Sequence, residues 1–396
     1  MNTRRAGALL RCSQCALRTA IKSSAHPRLF TTSTVLHKNG AVPSFTEVSS
    51  PELKDFLTYL REELFLPSHL SDSQLQLVRK YKYRKQLETE STIATIEGED
   101  FKLKPLKMRA QPSLTQSVGQ ALSMMREKKD WENVPSLLQG AATAMKSHST
   151  LSGEKWTYLL EQVLRRLGKA GRQNVVLECL RRGSDTGLTM STRNLATRVF
   201  TCFGRKAYDN DFNAADTEKA LLYAEQAAAL MENLEHAGST SLAGEEDPRL
   251  SPEVIGTLLQ LAAVRASKHL QGKDEEGKVA SYSEKLLNTP TAFTPLPETE
   301  NGQELHPWMW TYVPILHGMN LAQSLQPGTK NAEELRSKAY VLSEQVSECK
   351  ARLEQWDAFE KLKPPKENLN RRQKRTSNEP LYGLVMYDKL IGTGSS

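Results

Sequence analysis

The feature that most constrains this chain's fold is a helix-period apolar pattern running in pairs from about residue 112 to 353. Segment 113–127 reads helical, a turn at Lys128-Lys129-Asp130 follows, and 131–146 reads helical again. Helix 154–167 meets Gly168-Lys169-Ala170-Gly171-Arg172 and a partner at 173–183. The alternation continues as 191–203 with 215–235, 252–267 with 275–287, and 307–324 with 331–360. The first members start near Ser113, Glu154, Ser191 and Pro252, at spacings of 41, 37 and 61 residues. The last spacing is stretched by insertions such as 237–248. Helical hairpins at this rough period predict an all-α array of stacked hairpins, an α-solenoid over 111–360. An irregular helical bundle is the alternative the uneven periods leave open.

Ahead of the array, residues 47–110 read differently. Ser49, Pro51 and Glu52 offer a capping box, and Leu53, Phe56, Leu57, Leu60 and Leu64 mark one helical face up to Pro67. Ser71 and Gln74 cap a second helix, which runs into Arg79, Lys80, Tyr81, Lys82, Tyr83, Arg84 and Lys85. Then come Thr92-Ile93-Ala94-Thr95-Ile96, a Gly98 turn, and the alternating run Phe101-Lys102-Leu103-Lys104-Pro105. Those three pieces predict a small β-hairpin. A lone hairpin is marginal in water, so this one must dock on helices or on a partner.

In the first forty residues Leu9, Leu10, Leu17 and Ile21 can share one helical face with arginines opposite, as presequence receptors require. Residues 1–46 hold seven Lys and Arg and no acid, with many Ser and Thr. That is the composition of a cleavable mitochondrial transit peptide over 1–40, since an inside-negative potential draws a cationic leader inward. Arg28, Phe30 and Thr31 resemble the processing site of a mitochondrial precursor, cut near Phe30/Thr31. The whole chain has 53 Lys+Arg against 46 Asp+Glu, so the remainder balances at 46 against 46. The basic excess therefore belongs to the leader and says little about partners of the mature chain. The one C-x-x-C, Cys12 and Cys15, also lies there. Cys179, Cys202 and Cys349 are scattered singles in helical patterns, where a thiol packs as a small hydrophobe. A mitochondrial matrix protein with no transmembrane segment is expected.

Residues 154–190 resemble a pentatricopeptide repeat. Thr157-Tyr158 stand at the start of its first helix, Lys169-Ala170-Gly171-Arg172 form the turn, and Val175 to Leu180 with Gly187 supply the second helix and the linker. The resemblance extends weakly to 113–153 and 191–238. It implies a PPR/TPR-like α-solenoid and, by family, work on organellar RNA or translation. Sequence-reading members carry a small polar residue after the Tyr, where this chain has Leu159. The resemblance therefore implies the architecture and not a base-by-base code.

Two basic stretches remain in the neutral mature chain. One is the cluster Arg79, Lys80, Tyr81, Lys82, Tyr83, Arg84 and Lys85. The other lies in the C-terminal tail, 361–396, and includes Arg371, Arg372, Lys374 and Arg375. This tail reads as basic and partly disordered. Such segments suit RNA phosphates, and Tyr81 and Tyr83 suit stacking on bases. Each also fits an ordinary solvated surface. The apolar end from Leu381 to Tyr387 can dock back on the protein or on a partner. Leu335, Ala339, Leu342, Val346, Cys349, Leu353 and Trp356 form a heptad seam expected to pack within the fold.

No nucleotide-binding glycine loop, H-E-x-x-H or G-x-S-x-G is present. A non-enzyme without cofactor or metal is expected. The leading reading is a helical-repeat protein of mitochondrial gene expression that binds RNA or the mitochondrial ribosome and uses its helical array for protein partners. The alternatives are a scaffold or assembly factor for a respiratory-chain complex, and a structural subunit of the mitochondrial ribosome.

Overall fold

Residues 40–89, 91–106, 113–148, 153–237, 247–362 and 381–392 are described by the computed structural model. The transit-peptide residues Arg28, Phe30 and Thr31, and the tail cations Arg371, Arg372, Lys374 and Arg375, lie outside them.

The chain enters along α1 (Pro51–Tyr59), which continues through a π turn (Leu60–Phe65) and a 3₁₀ turn (Leu66–Ser68). Ser50 caps α1 by accepting from the Leu53 amide at 3.2 Å, with Pro51 at the first helical position. Ser49, the cap expected from sequence, instead donates to Asp130 through its amide (2.6 Å) and its hydroxyl (2.7 Å). Asn133 accepts from the Thr46 amide at 2.7 Å, so residues 46–49 are held against the 130–133 turn.

The Ser71–Gln74 capping box forms as expected and starts α2 (Asp72–Arg79). That helix does not run through the basic cluster. Lys80 is extended, Tyr81–Tyr83 make one 3₁₀ turn, and α3 (Arg84–Thr89) follows. Strands β1 (Ile93–Ile96) and β2 (Glu99–Lys102) pair antiparallel, with Ala94 opposite Phe101. One face of the hairpin, Ala94, Ile96 and Phe101, is buried, and this is where the expected docking occurs.

The helices of the array come in the expected pairs. They are α4 (Leu114–Met124) and α6 (Val134–His148), with the single turn α5 (Lys128–Trp131) between them. Next come α7 (Gly153–Lys169) and α8 (Gln173–Arg181), followed by the turn α9 (Gly183–Thr186). Then α10 (Arg193–Asp209) pairs with α11 (Ala214–Leu230), followed by α12 (Leu234–Ala237). The last pairs are α13 (Pro252–His269) with α14 (Lys278–Asn288), and α15 (Gly302–Leu325) with α16 (Lys330–Leu362). The turn between α7 and α8 closes because Gly171 takes φ +66°, letting the Arg172 amide reach back to the Leu167 carbonyl at 2.9 Å.

First helices pack on first helices in the order α1, α4, α7, α10, α13, α15. Second members follow suit, α6 on α8, α8 on α11, and α14 on α16. Two pairings break this regularity. Helix α11 packs on α13, and α10 reaches α15 past α13. In consequence every residue of α13 from Pro252 to Val264 is buried. The close approach of α13 and α15 depends on Gly318, where a Cβ would stand 2.5 Å from the Gln260 Cα.

The seam of α16 faces inward. Leu335, Ala339, Leu342, Val346, Cys349 and Leu353 are each buried, and α16 packs along α15. Full burial of each Leu or Val contributes about 1.5–3 kcal/mol, enough to favour packing inside the fold over leaving the seam in water. The last helix among the described residues, α17 (Tyr382–Leu390), docks on α15 and α16. The fold is thus mostly helical with one two-stranded sheet among the described residues.

Candidate nucleic-acid interface

A second, smaller core holds the basic cluster. Val78, Leu87, Ala94 and Leu103 bury together apart from the main core, with Leu70, Leu75 and Leu106 packed around them. The Leu106 amide donates to the Val78 carbonyl at 2.9 Å, which fixes the chain leaving the hairpin to the end of α2. Val78 and Leu87 point inward, so the residues between them must point out. Arg79, Lys80, Lys82, Arg84 and Lys85 are exposed, and Tyr81 is 83% exposed. Tyr83 is half-buried, with the Lys82 ammonium 4.6 Å over its ring.

The extended residue Lys80 spreads these cations over two short helical ends. Lys80 donates to the Gln76 side chain at 2.9 Å, and Arg84 pairs with Glu88 at 3.0 Å. Lys82 and Lys85 have no carboxylate partner among the described residues. The arrangement offers several long cationic side chains beside one exposed aromatic ring. That combination attracts phosphates without reading sequence and gives an unpaired base a surface to stack on. All seven cluster residues expected from sequence thus lie in succession along the end of α2, one 3₁₀ turn and the start of α3, six of them exposed and Tyr83 half-buried.

Sequence reasoning missed the buried charges. Asp130 is 0% exposed and accepts from the amides of Arg126 (2.8 Å), Glu127 (2.9 Å) and Ser49, as well as the Ser49 hydroxyl. Burial alone would raise its pKa, but these donors hold the carboxyl down to about 2. Glu253, 2% exposed at the start of α13, binds Arg193 of α10 at 2.9 and 2.6 Å. It also accepts from Ser251 at 2.6 Å and from the Tyr312 hydroxyl. Burial opposes the charge here too, and the Arg193, Ser251 and Tyr312 donors keep the carboxyl at about 2. A helix start at Ser251-Pro252-Glu253 was legible. Its partner 60 residues earlier was not.

Cys179, Cys202 and Cys349 are buried, and burial pushes each thiol up to about 12. Such thiols are poor nucleophiles at neutral pH. Among the described residues there is no group of three or more His, Cys, Asp or Glu able to hold a metal ion. No described helix is long and apolar enough to cross a membrane.

Among the described residues the chain is a set of paired helices on a main core, with a smaller side core that carries the cationic segment. Comparison with known families makes this specific. Residues 28–378 match the family described as mitochondrial ribosomal protein mS27, and the chain belongs to that family. It is also similar to the small ribosomal subunit protein mS27 of Neurospora crassa, 26% identical over 263 residues. That alignment covers 62% of this chain and 64% of the relative, so the chain spans somewhat less than two thirds of the relative's length.

Proposed function

We propose that this chain is a structural, non-catalytic protein of the mitochondrial small ribosomal subunit, imported into the matrix after removal of residues up to about Phe30/Thr31. The observation that carries the reading is the family match, which spans the whole array. It favours the structural-subunit alternative over a transient gene-expression factor or a respiratory-chain scaffold. The paired rows of helices support a helical-repeat body, a PPR/TPR-like solenoid pinched where α10 reaches α15, offering surface to neighbouring proteins. The cationic turn at 79–85 would anchor it on ribosomal RNA, together with the tail cations Arg371, Arg372, Lys374 and Arg375.

The test is sedimentation of mitochondrial lysate. A structural subunit travels with the small ribosomal subunit and stays there through a high-salt wash. A protein that sediments free, or leaves at moderate salt with the subunit intact, is a transient factor and the proposal fails.

A further inference from the structure

Leu159, Leu160, Val163, Leu164 and Leu167 of α7 are buried, which leaves one stripe of that helix facing water. The stripe runs Lys155, Tyr158, Gln162, Arg165 and Lys169, at spacings of three and four residues; Gln162 is half-buried and the others are exposed. Two contacts set α10 parallel beside it. The Asn194 amide donates to Glu161 at 2.6 Å, and the Cys202 thiol donates to the Leu164 carbonyl at 3.6 Å. Arg198 follows Asn194 by one turn, as Arg165 follows Glu161 by one turn, so the two arginine positions come level.

This patch is charged without being neutralised. On α16 the surface cations are matched four residues away: Lys330 with Glu334, Lys350 with Glu354, and Arg352 with Glu348. On α7 the corresponding pair is Arg165 and Lys169, two like charges, an arrangement that weakens a helix. Among the described residues Lys155, Arg165, Lys169 and Arg198 make no ion pair, and the Arg165 guanidinium donates to the Gln162 side chain. Glu161 is turned to Asn194, and Glu154 in the first turn offsets only the Lys155 end. On the far side α4 packs on α7 and presents Gln116, Gln120 and Ser123, none of them charged. The dipole at the end of α7 favours Lys169, but Arg198 lies well inside α10 and gains nothing from it.

We propose that this stripe, with Arg198, is a second RNA interface, separate from the turn at 79–85, and that it holds the phosphates of a duplex segment across the minor groove. The inference rests on the ribosomal reading above. Four cations with no carboxylate partner call for an external anion, and phosphates supply a row of them. A duplex fits better than a single strand. Single-strand platforms stack successive bases on several rings, whereas this stripe has one exposed aromatic, Tyr158 at 60%. The cations are set on two packed helices, in a row roughly 21 Å long on α7, which suits the fixed phosphates of a helix. The Tyr158 hydroxyl and the Gln162 amide stand among them, and such groups bond 2′-hydroxyls in the shallow minor groove of RNA. Binding of this kind is blind to sequence and prefers RNA to DNA.

The experiment uses the full chain and three labelled probes: an RNA duplex of about 16 base pairs, the DNA duplex of the same sequence, and one strand of the RNA. Affinity is read against salt, and each variant is checked by its melting temperature. The triple variant Arg165→Gln, Lys169→Gln, Arg198→Gln should lower the slope of log affinity against log salt on the RNA duplex by about three, one per phosphate contact. If it fails to fold, the single substitutions decide, each lowering the slope by about one. Arg165→Lys with Arg198→Lys keeps the charge and should keep the slope. Tyr158→Phe with Gln162→Ala should keep the slope and lose the preference for RNA over DNA. The proposal is overturned if the parent chain binds no duplex, or if a folded triple variant binds it with the parent's slope. It is overturned as well if the triple variant loses slope on the single strand and not on the duplex. A chain that sediments with the small subunit while its triple variant binds duplex unchanged loses this interface alone, so the two readings fail separately.

Discussion

At Glu253 four neighbours meet one carboxylate: Arg193, Ser251, Thr294 and Tyr312 all donate to it. Arg193 also reaches the Ala292 carbonyl at 2.7 Å, so this one group ties α10, α13, α15 and the 289–301 connection together. Removing one partner of a buried pair leaves the other charge uncompensated, which is worse than removing both. Glu253→Ala should therefore cost about 3–5 kcal/mol in urea unfolding, within the range for breaking a buried pair. The double variant with Arg193→Ala should cost clearly less than the two single losses combined. Strict additivity would mean the two residues are not coupled.

Among the elements, the cationic turn shows how a side core presents charge. Val78 and Leu87 face inward, which forces Lys82 and Lys85 outward. Replacing both lysines with Ala should lower the slope of log affinity against log salt by about two, one for each phosphate no longer neutralised. Tyr81→Ala should weaken unpaired RNA about tenfold and leave duplex RNA nearly unchanged, readable by fluorescence anisotropy. A packing prediction belongs at this scale as well. Gly318→Ala must push α15 away from the α13 backbone, and overpacking of this kind costs about 1–3 kcal/mol. Thermal melting measures it, and an unchanged midpoint would show that the two helices separate freely. Helix identity was legible here from periodicity alone, and so were the Ser71 cap and the α16 seam. The Lys80 break was not, because nothing in a run of helix-tolerant cations marks where the chain turns to close over a small core.

For the whole molecule, acid should act in two stages. Burial, with Lys268 nearby, lowers His317 to about 4, and burial lowers His236 as well. Both then stay neutral in the fold while the unfolded chain takes up protons below about 6.5. Stability is therefore full above that pH and falls as pH drops toward 4. Asp130 and Glu253 act lower down, since their folded values near 2 lie below the unfolded values near 4. Their contribution is present above about 4 and is lost as pH falls toward 2. Melting temperature against pH should show both declines, and His317→Gln should flatten the upper one. A midpoint constant from pH 7 down to 4 would refute the histidine part.

Periodicity, caps and turns are local, and local sequence was enough to determine the helical pairs, the hairpin, the inward seam and the cationic cluster. Each depends on residues a few positions apart. Tertiary structure alone decided the rest: that Ser49 serves Asp130 and not its own helix, that α10 reaches α15 over a wholly buried α13, and that Tyr382 sits between Tyr208 and Trp310. Those pairings join residues dozens to well over a hundred positions apart, with no period to announce them. They form because a buried carboxylate, an all-round apolar helix and an aromatic ring must each find partners wherever the packed chain happens to supply them.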